Sequence, residues 1–299
     1  MAFVERALTL IFTLGNNGTF ANGQNQLMVE GARAKVRIEK NTGGNTSHAN
    51  VTVYGLTMPH MRALSALNPA FMVMKQNIVE ILANDITNPA SQPTSVFIGQ
   101  ITEGEIDITN EPESALVLTA VAGLYYSVAP ADGSSYTGPT NIIVVLTDIA
   151  KKMNLELNSS GLSKPYMLSD PHLFGTLMTQ AQSICEHWNL NLFIDGKTMY
   201  VYDRNGSVLV GTDASIPVVS AETGMIGYPT FSEHGVFIRT LFSPFLNMGQ
   251  RVEIRSTLEY ANGTWGVYQL VNELESQVPD GKWETSFHCN WAENALAPR

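Results

Sequence analysis

With 299 residues, 44% of them hydrophobic, and a mean hydropathy of zero, the chain is long enough for two or three domains with proper cores. It contains no apolar run of the roughly 18 residues that a membrane span needs. A net charge of -10 with only 15% charged residues excludes a nucleic-acid binder that works by neutralising phosphates, though not a protein past which DNA slides. Cys185 and Cys289 have no partner spacing, which excludes a disulfide framework or a zinc site and leaves two reduced thiols.

The first third of the chain reads as strands. Met1 to Gly15 carries Glu5 and Arg6 ahead of an alternating run, so it reads as a first strand, Ala7–Thr13, and not as a signal peptide. Ala32–Glu39 alternates cleanly, a Gly- and Asn-rich loop runs from Asn41 to Asn50, and Val51–Tyr54 is the next strand. Pro59 starts a short helix in which Met61, Leu64 and Leu67 recur at spacing three, and Asn68 with Pro69 ends it. Ile78–Leu82, Ser95–Ile98 and Ser114–Thr119 add three strands. Six strands around one helix predict a small barrel or sandwich.

After Ala131–Pro139, a stretch dominated by Gly, Ser and Pro, the apolar period changes from two to 3.6. Ile142, Val145, Leu146, Ile149 and Met153 share one face of a helix that Thr140 or Asn141 could cap. Asp170 as N-cap and Pro171 at the first helical position predict a second helix, with Phe174, Leu177, Met178, Ala181, Cys185 and Trp188 as its apolar face. Leu192–Tyr202 reads as two strands joined through Asp195 and Gly196 in a type I′ turn.

From about residue 220 the pattern is β again. Gly235–Phe242 and Arg251–Ser256 alternate on either side of a corner bracketed by Pro244 and Gly249, because proline fixes φ and glycine permits the positive values a corner needs. Thr264–Val271 and Lys282–Cys289 flank a Pro-Asp-Gly turn at Val278–Gly281. Four strands do not close a barrel, so either a strand is hidden or one is borrowed from the first half or from a neighbouring subunit. The fold class is therefore mainly β with an α+β insert: a β-domain at 1–130, a small α/β domain of two helices and a hairpin at 131–215, and a second β-domain at 216–299.

No catalytic arrangement emerges. The six histidines form no ligand-spaced pair, Cys185 and His187 sit two apart where helix neighbours diverge, and nucleophile-elbow and phosphate-loop glycine patterns are missing. Glu103, Glu105 and Asp107 recur at period two. That pattern can serve a glycosidase pair or a calcium site, and more commonly lines the solvated or lumen-facing side of a strand. Trp265 and Trp283, on strands flanking one turn, read as a cross-strand core pair rather than a sugar platform.

The segment Gly224–Ser256, GMIGYPTFSEHGVFIRTLFSPFLNMGQRVEIRS, resembles the central baseplate hub proteins of contractile-tailed, Mu-like bacteriophages. In those proteins a Gly-x-x-Gly-x-Pro-Thr run, a Gly-Val strand, a Leu-x-x-Pro-x-Leu corner and a Gly-led strand follow in this order. Gly224, Gly227, Pro229, Gly235, Pro244 and Gly249 carry the match here. The closing strands resemble the family as well. Val271-Asn-Glu-Leu-Glu275 stands where a Val-x-His-Glu-Leu run is usual, with Asn272 replacing histidine as a small hydrogen-bonding group, and Gly281-Lys-Trp283 follows. The likeness is specific over about residues 140 to 290 and architectural before that.

The resemblance implies two tail-tube-like β-barrel domains plus the α/β module, assembled as a homotrimer. Its implied partners are a hexameric tail tube protein, a trimeric central spike protein and other baseplate proteins, with duplex DNA passing through the channel without specific binding. It implies a virion tail protein, while the missing ligand and nucleophile spacings predict no enzymatic activity, cofactor or metal and the hydropathy predicts no membrane; in a ring of net acidic copies Glu103, Glu105 and Asp107 are candidates for the channel wall. A tail-associated cell-wall hydrolase, or a siphophage distal-tail or receptor-binding β protein, are the alternatives.

Overall fold

In a computed structural model, described over residues 6–42, 46–66, 69–84, 92–109, 113–204, 207, 216–232 and 235–291, one large sheet organises the chain. The first part supplies β1 (Leu8–Thr13), β2 (Gln26–Glu30), β3 (Ala34–Asn41), β4 (His48–Tyr54), β5 (Ile78–Ala83), β6 (Thr94–Asp107) and β7 (Ala115–Val121). Helices α1 (Met58–Leu64) and α2 (Pro69–Lys75) interrupt it. Pro69 therefore opens a second helix, and Leu67 and Asn68 lie outside the described residues. β2 is absent from the sequence expectation, and β6 extends far past Ile98 to take in the three carboxylates.

A short helix α3 (Leu124–Val128) leads into the middle unit. There follow β8 (Ser134–Ser135), β9 (Pro139–Asn141), α4 (Ile142–Lys152), β10 (Glu156–Gly161), β11 (Met167–Ser169), β12 (His172–Leu173), α5 (Leu177–His187), β13 (Leu190–Asp195) and β14 (Thr198–Asp203). Asn141 caps α4, its side chain accepting from the Ile143 N–H. The second helix starts later than Asp170-Pro171 predicts. Asp170 has φ 46° and commits its carboxylate to the Gly138 N–H at 2.6 Å, so it closes a loop; Thr176 caps α5 instead. Phe174 is consequently off the helix and exposed. The hairpin loop is Gly196 and Lys197, and only Gly196 has positive φ, so the turn is not type I′, which needs two such residues. Ile142, Val145, Leu146 and Ile149 pack with Ala181, Ile184, Leu192 and Val201 into a core of their own.

The last part holds β15 (Val218–Ser220), β16 (Thr230–Ser232), β17 (Gly235–Leu241), β18 (Arg251–Arg255), β19 (Gly263–Ser276) and β20 (Trp283–Trp291). These do not make a separate sheet. The order β16-β17-β20-β19-β3-β4-β7-β6-β5-β1-β2 runs unbroken through both β-regions, and β18 and β15 attach beside β19. Both alternatives left open by the four expected strands occur: β15 and β16 are strands that the alternation did not mark, and β19 also pairs with β3 of the first half, with Ala34 opposite Ser276 and Asn41 opposite Gln269. The path is open, ending on β16 and β2, and closes into no barrel among the described residues.

β19 is the pivot. Its residues 263–266 pair with β18, its residues 269–276 pair with β3, and the register slips at Tyr268 between them. A bulge inserts one residue and bends the strand, which lets one edge serve two neighbours in turn. Two apolar cores lie under it. Trp265, Val267, Leu270, Ile238 and Phe287 belong to one; Leu274, Trp283 and Phe242 join Leu10, Phe12, Val36 and Ile81 in the other. Trp265 and Trp283 are therefore not a cross-strand pair: Trp265 faces Trp291 and Trp283 faces Leu274. Between the cores the inward row is polar, Thr240–Thr285–Asn272, with the Thr285 hydroxyl donating to Asn272 Oδ1 at 2.8 Å.

Candidate assembly surface

Alternation fixes which side chains the sheet turns outward. In β3, Lys35, Arg37 and Glu39 alternate with buried Ala34, Val36 and Ile38. Following the register from Arg37 gives one transverse row, Leu241–Glu284–Glu273–Arg37–Asn50–Thr119–Glu103, that crosses β17, β20, β19, β3, β4, β7 and β6 without a gap. Where the two β-regions join, this face is laced with ion pairs: Arg37 with Glu39 at 2.6 Å and with Glu273 at 3.0 Å, Lys282 with Glu273 at 2.9 Å, and Arg239 with Glu284 at 2.9 Å. The Glu39 hydrogen bond raises the Arg37 pKa against the effect of burial. Burial pushes the Glu273 carboxyl up, but Lys282 and Arg37 outweigh it and hold the group below its ordinary value.

Glu103, Glu105 and Asp107 sit at the far end of the same face. Glu103 and Glu105 are exposed and Asp107 is half-buried. Among the described residues none of the three forms an ion pair, whereas the acids at the seam are neutralised. The Thr109 hydroxyl and N–H hold Asp107 below the usual carboxylate range. The face is thus charge-balanced over β3 and β19 and acidic over β6.

The family-motif residues cluster elsewhere, around β17 and its corner. Gly224, Gly227, Gly235 and Gly249 all take positive φ. Gly235 is the most constrained: φ is 137° and a Cβ would fall on the carbonyl oxygen of Cys289 in β20, so no other residue lets these strands pair. Pro229 precedes β16, and Trp283 is 1% exposed with its ring edge-on to Phe242 at 5.9 Å. Pro244 and Gly249 bound a corner that carries the chain from beside β20 to beside β19. Within it Met248 packs on Phe193 and Tyr202 of the middle unit.

A second tie joins the middle unit to the sheet. Lys40 Nζ lies 2.7 Å from both carboxylate oxygens of Asp195, and Lys40 is 4% exposed. Its signal is present in the sequence: Lys40 continues the inward series Ala34, Val36, Ile38, and a charge at an inward position calls for a buried partner. A cleft of about 630 Å³ opens between α5, β13 and the β19–β20 end, lined by Gln182, Glu186, Asn191, Arg204, Tyr268 and Asn290 among others. Among the described residues no group of three or more His, Cys, Asp or Glu is placed to hold a metal ion, and no helix is long and apolar enough to cross a membrane. Both cysteines are buried and free, and burial pushes the Cys185 thiol up to about 12.

Residues 8–282 match the sequence profile of a family described as baseplate hub gp41. No curated protein matches this sequence. Among solved structures, the tail protein from Neisseria meningitidis MC58 resembles the fold with a TM-score of 0.63 at 9% identity, over 97% of this chain and 99% of that one. The E. coli c3393 protein, a type VI secretion component with structural similarity to the T4 tail proteins gp27 and gp5, gives 0.57 at 9% identity over 90% and 76%. The 43 kDa tail protein of prophage MuSo2 from Shewanella oneidensis gives 0.56 at 6% identity over 96% and 100%.

Proposed function

The chain belongs to the baseplate hub gp41 family, a component of the virion tail, and we propose that it works there as a homotrimeric ring joining a hexameric tail tube to a trimeric central spike. A six-subunit tube ending on a threefold spike is a symmetry mismatch. A subunit with two similar β-domains resolves it, since three copies then offer six equivalent edges to the tube and three to the spike. In this reading residues 1–130 and 216–299 are the two tube-like β-domains and 131–215 the inserted α/β domain. Each β-domain curls into a barrel that neighbouring copies complete.

The observation that carries this reading is the single sheet continuing through β3 and β19 over two distinct cores, with an outer edge, β2 or β16, at each end. Unpaired edges need covering by neighbours or they become aggregation sites, and ring assembly covers them. The acidic end of the open face, at Glu103, Glu105 and Asp107, then belongs to the wall of the DNA ejection channel, where like charge keeps duplex DNA from sticking. Gly224, Gly227, Pro229, Gly235, Pro244, Gly249 and Trp283 act structurally, and the protein has no catalytic role.

The test is electron microscopy of the assembled tail beside light scattering of the purified chain. Three copies between tube and spike, with the two β-domains superposing on each other, is the expected result. A monomer in both settings, domains that do not superpose, or a channel lined mainly by lysine and arginine overturns the reading. Cell-wall hydrolysis abolished by changing Glu103, Glu105 or Asp107 would instead establish the hydrolase.

A further inference from the structure

Asn-Gly pairs recur along the chain at Asn17-Gly18, Asn22-Gly23, Asn205-Gly206 and Asn262-Gly263, of which Asn205-Gly206 lies outside the described residues. Such a pair carries its own chemistry, because a glycine has no side chain to shield the peptide nitrogen that follows the asparagine. That nitrogen attacks the side-chain amide carbon and an N–Cγ bond forms. The Cγ–Nδ2 bond breaks, ammonia leaves with the proton from the peptide nitrogen, and a five-membered succinimide remains. Water then opens either ring carbonyl, giving aspartate or isoaspartate. What differs between the pairs is how the fold holds the two reacting groups.

Asn22 lies in the β1–β2 connection, where every residue from Ala21 to Gln26 is exposed. Its Oδ1 accepts from the Gln24 N–H at 3.0 Å, a side-chain turn that mimics a backbone turn and so folds the amide group over the Gly23 peptide. The same N–H sits on the oxygen at which negative charge develops during the attack, and stabilises it there. The leaving nitrogen, Nδ2, donates to Gln24 Oε1 at 3.4 Å. Nothing lies within 4 Å of the position a Gly23 Cβ would occupy, so a ring and a water molecule have room. Reaction gives up one backbone bond, from the Gly23 N–H to the Phe20 carbonyl at 2.8 Å. The Phe20 N–H, bonded to the Gln24 carbonyl at 2.7 Å, still closes the loop.

The other two described pairs lack this arrangement. Asn262 Oδ1 is committed to the Ser256 N–H at 2.6 Å, and Gly263 is paired with Ile254 in the sheet. Gly18 is crowded, with the Gly15 carbonyl oxygen 3.1 Å and Leu14 Cβ 3.2 Å from its Cβ position. Among the described residues no N–H donates to the Asn17 side chain.

We propose that Asn22 is a site of intramolecular deamidation, modified faster in the folded protein than Asn17 or Asn262. One carboxylate replaces one neutral amide, which takes the net charge from -10 to -11. As isoaspartate it also adds a methylene to the main chain just before β2, whose pairing with β1 starts at Gln26 opposite Thr13. The change therefore falls beside a free edge of the large sheet, and it occurs whether or not the chain forms a ring.

Peptide mapping by mass spectrometry tests it, on the full chain incubated in mildly alkaline buffer made with heavy-oxygen water, beside the same chain unfolded in guanidinium chloride. In the folded chain Asn22 should convert about tenfold or more faster than Asn262, and faster than Asn17. Each converted site should carry one heavy oxygen, with isoaspartate among the products. Unfolding should bring the three rates together. Gln24→Pro, which removes the backbone donor, should slow Asn22 in the folded chain and leave its rate in guanidinium unchanged. Conversion of Asn22 no faster than that of Asn262, an equal lead for Asn22 in the unfolded chain, or a product without isoaspartate overturns the proposal.

Discussion

The two halves of β19 share one strand and one pairing partner, β20, yet live in different environments. The first half pairs with β18 and buries Trp265, whose indole N–H donates to the Ala261 carbonyl at 2.9 Å. The second half pairs with β3, and across from it Trp283 is equally buried, but its indole nitrogen has no hydrogen-bond partner among the described residues. One tryptophan is fixed by packing and a local hydrogen bond, the other by packing alone against strands from the far end of the sequence. The contrast shows how one continuous sheet keeps two cores distinct: a bulge changes the neighbour, and a buried polar row stops the apolar contacts from merging.

If the cores are distinct, truncating both tryptophans should have independent effects. Trp265→Ala and Trp283→Ala should each destabilise by about 3–5 kcal/mol, measured as shifts in urea midpoint. The double variant should equal the sum within about 0.5 kcal/mol. A coupling well above that value would mean one core, not two.

The tie between the sheet and the middle unit comes next in size. Lys40→Met leaves the Asp195 carboxylate without its buried partner and should cost about 2–3 kcal/mol, less than for a fully buried pair because Asp195 keeps some solvent contact. Adding Asp195→Asn should recover part of the loss. Hydrogen exchange should show loosening concentrated at β13 and β14; uniform loosening would make Lys40 a general stabiliser and not a local tie.

The polar row offers a finer probe. Asn272→Leu removes the acceptor for the buried Thr285 hydroxyl and should cost about 1–3 kcal/mol, and Thr285→Val in the same chain should restore most of it. If the double variant instead becomes more stable while losing the additivity of the two tryptophans, the row's role in separating the cores is established directly.

The smallest effect lies on the open face. The Glu273 pKa is depressed by Lys282 and Arg37, so the unfolded chain binds the proton first as pH falls. Its contribution is complete above the unfolded value of about 4.3 and is lost as pH drops through the folded value. Because the group is partly exposed, the size is under about 1 kcal/mol. The thermal midpoint of Glu273→Gln should therefore fall less steeply with acidification than that of the parent chain, and parallel curves would remove the seam ion pairs from the stability of the join.

Much was legible from local pattern. The face of α4 follows from spacing, and the sequence offers Thr140 or Asn141 as its cap, of which the structure uses Asn141. The β13–β14 hairpin follows from Asp-Gly, and the corner after β17 from Pro244 and Gly249, because each of these signals acts within a few residues. The outward placement of Glu103 and Glu105 follows from period two. The motif around Gly224 to Gly249 also carried the family likeness, since a glycine whose Cβ would strike a neighbouring strand cannot be exchanged. What the sequence could not determine by itself was partnership across the chain. The pairing of β3 with β19, the assignment of Trp265 and Trp283 to separate cores, the delayed start of α5 once Gly138 claimed the Asp170 carboxylate, and the cleft beside β13 all depend on groups brought together from distant positions. Strand pairing is satisfied by any backbone of compatible register, so its choice of neighbour is made by the packing of whole faces, which only the tertiary structure decides.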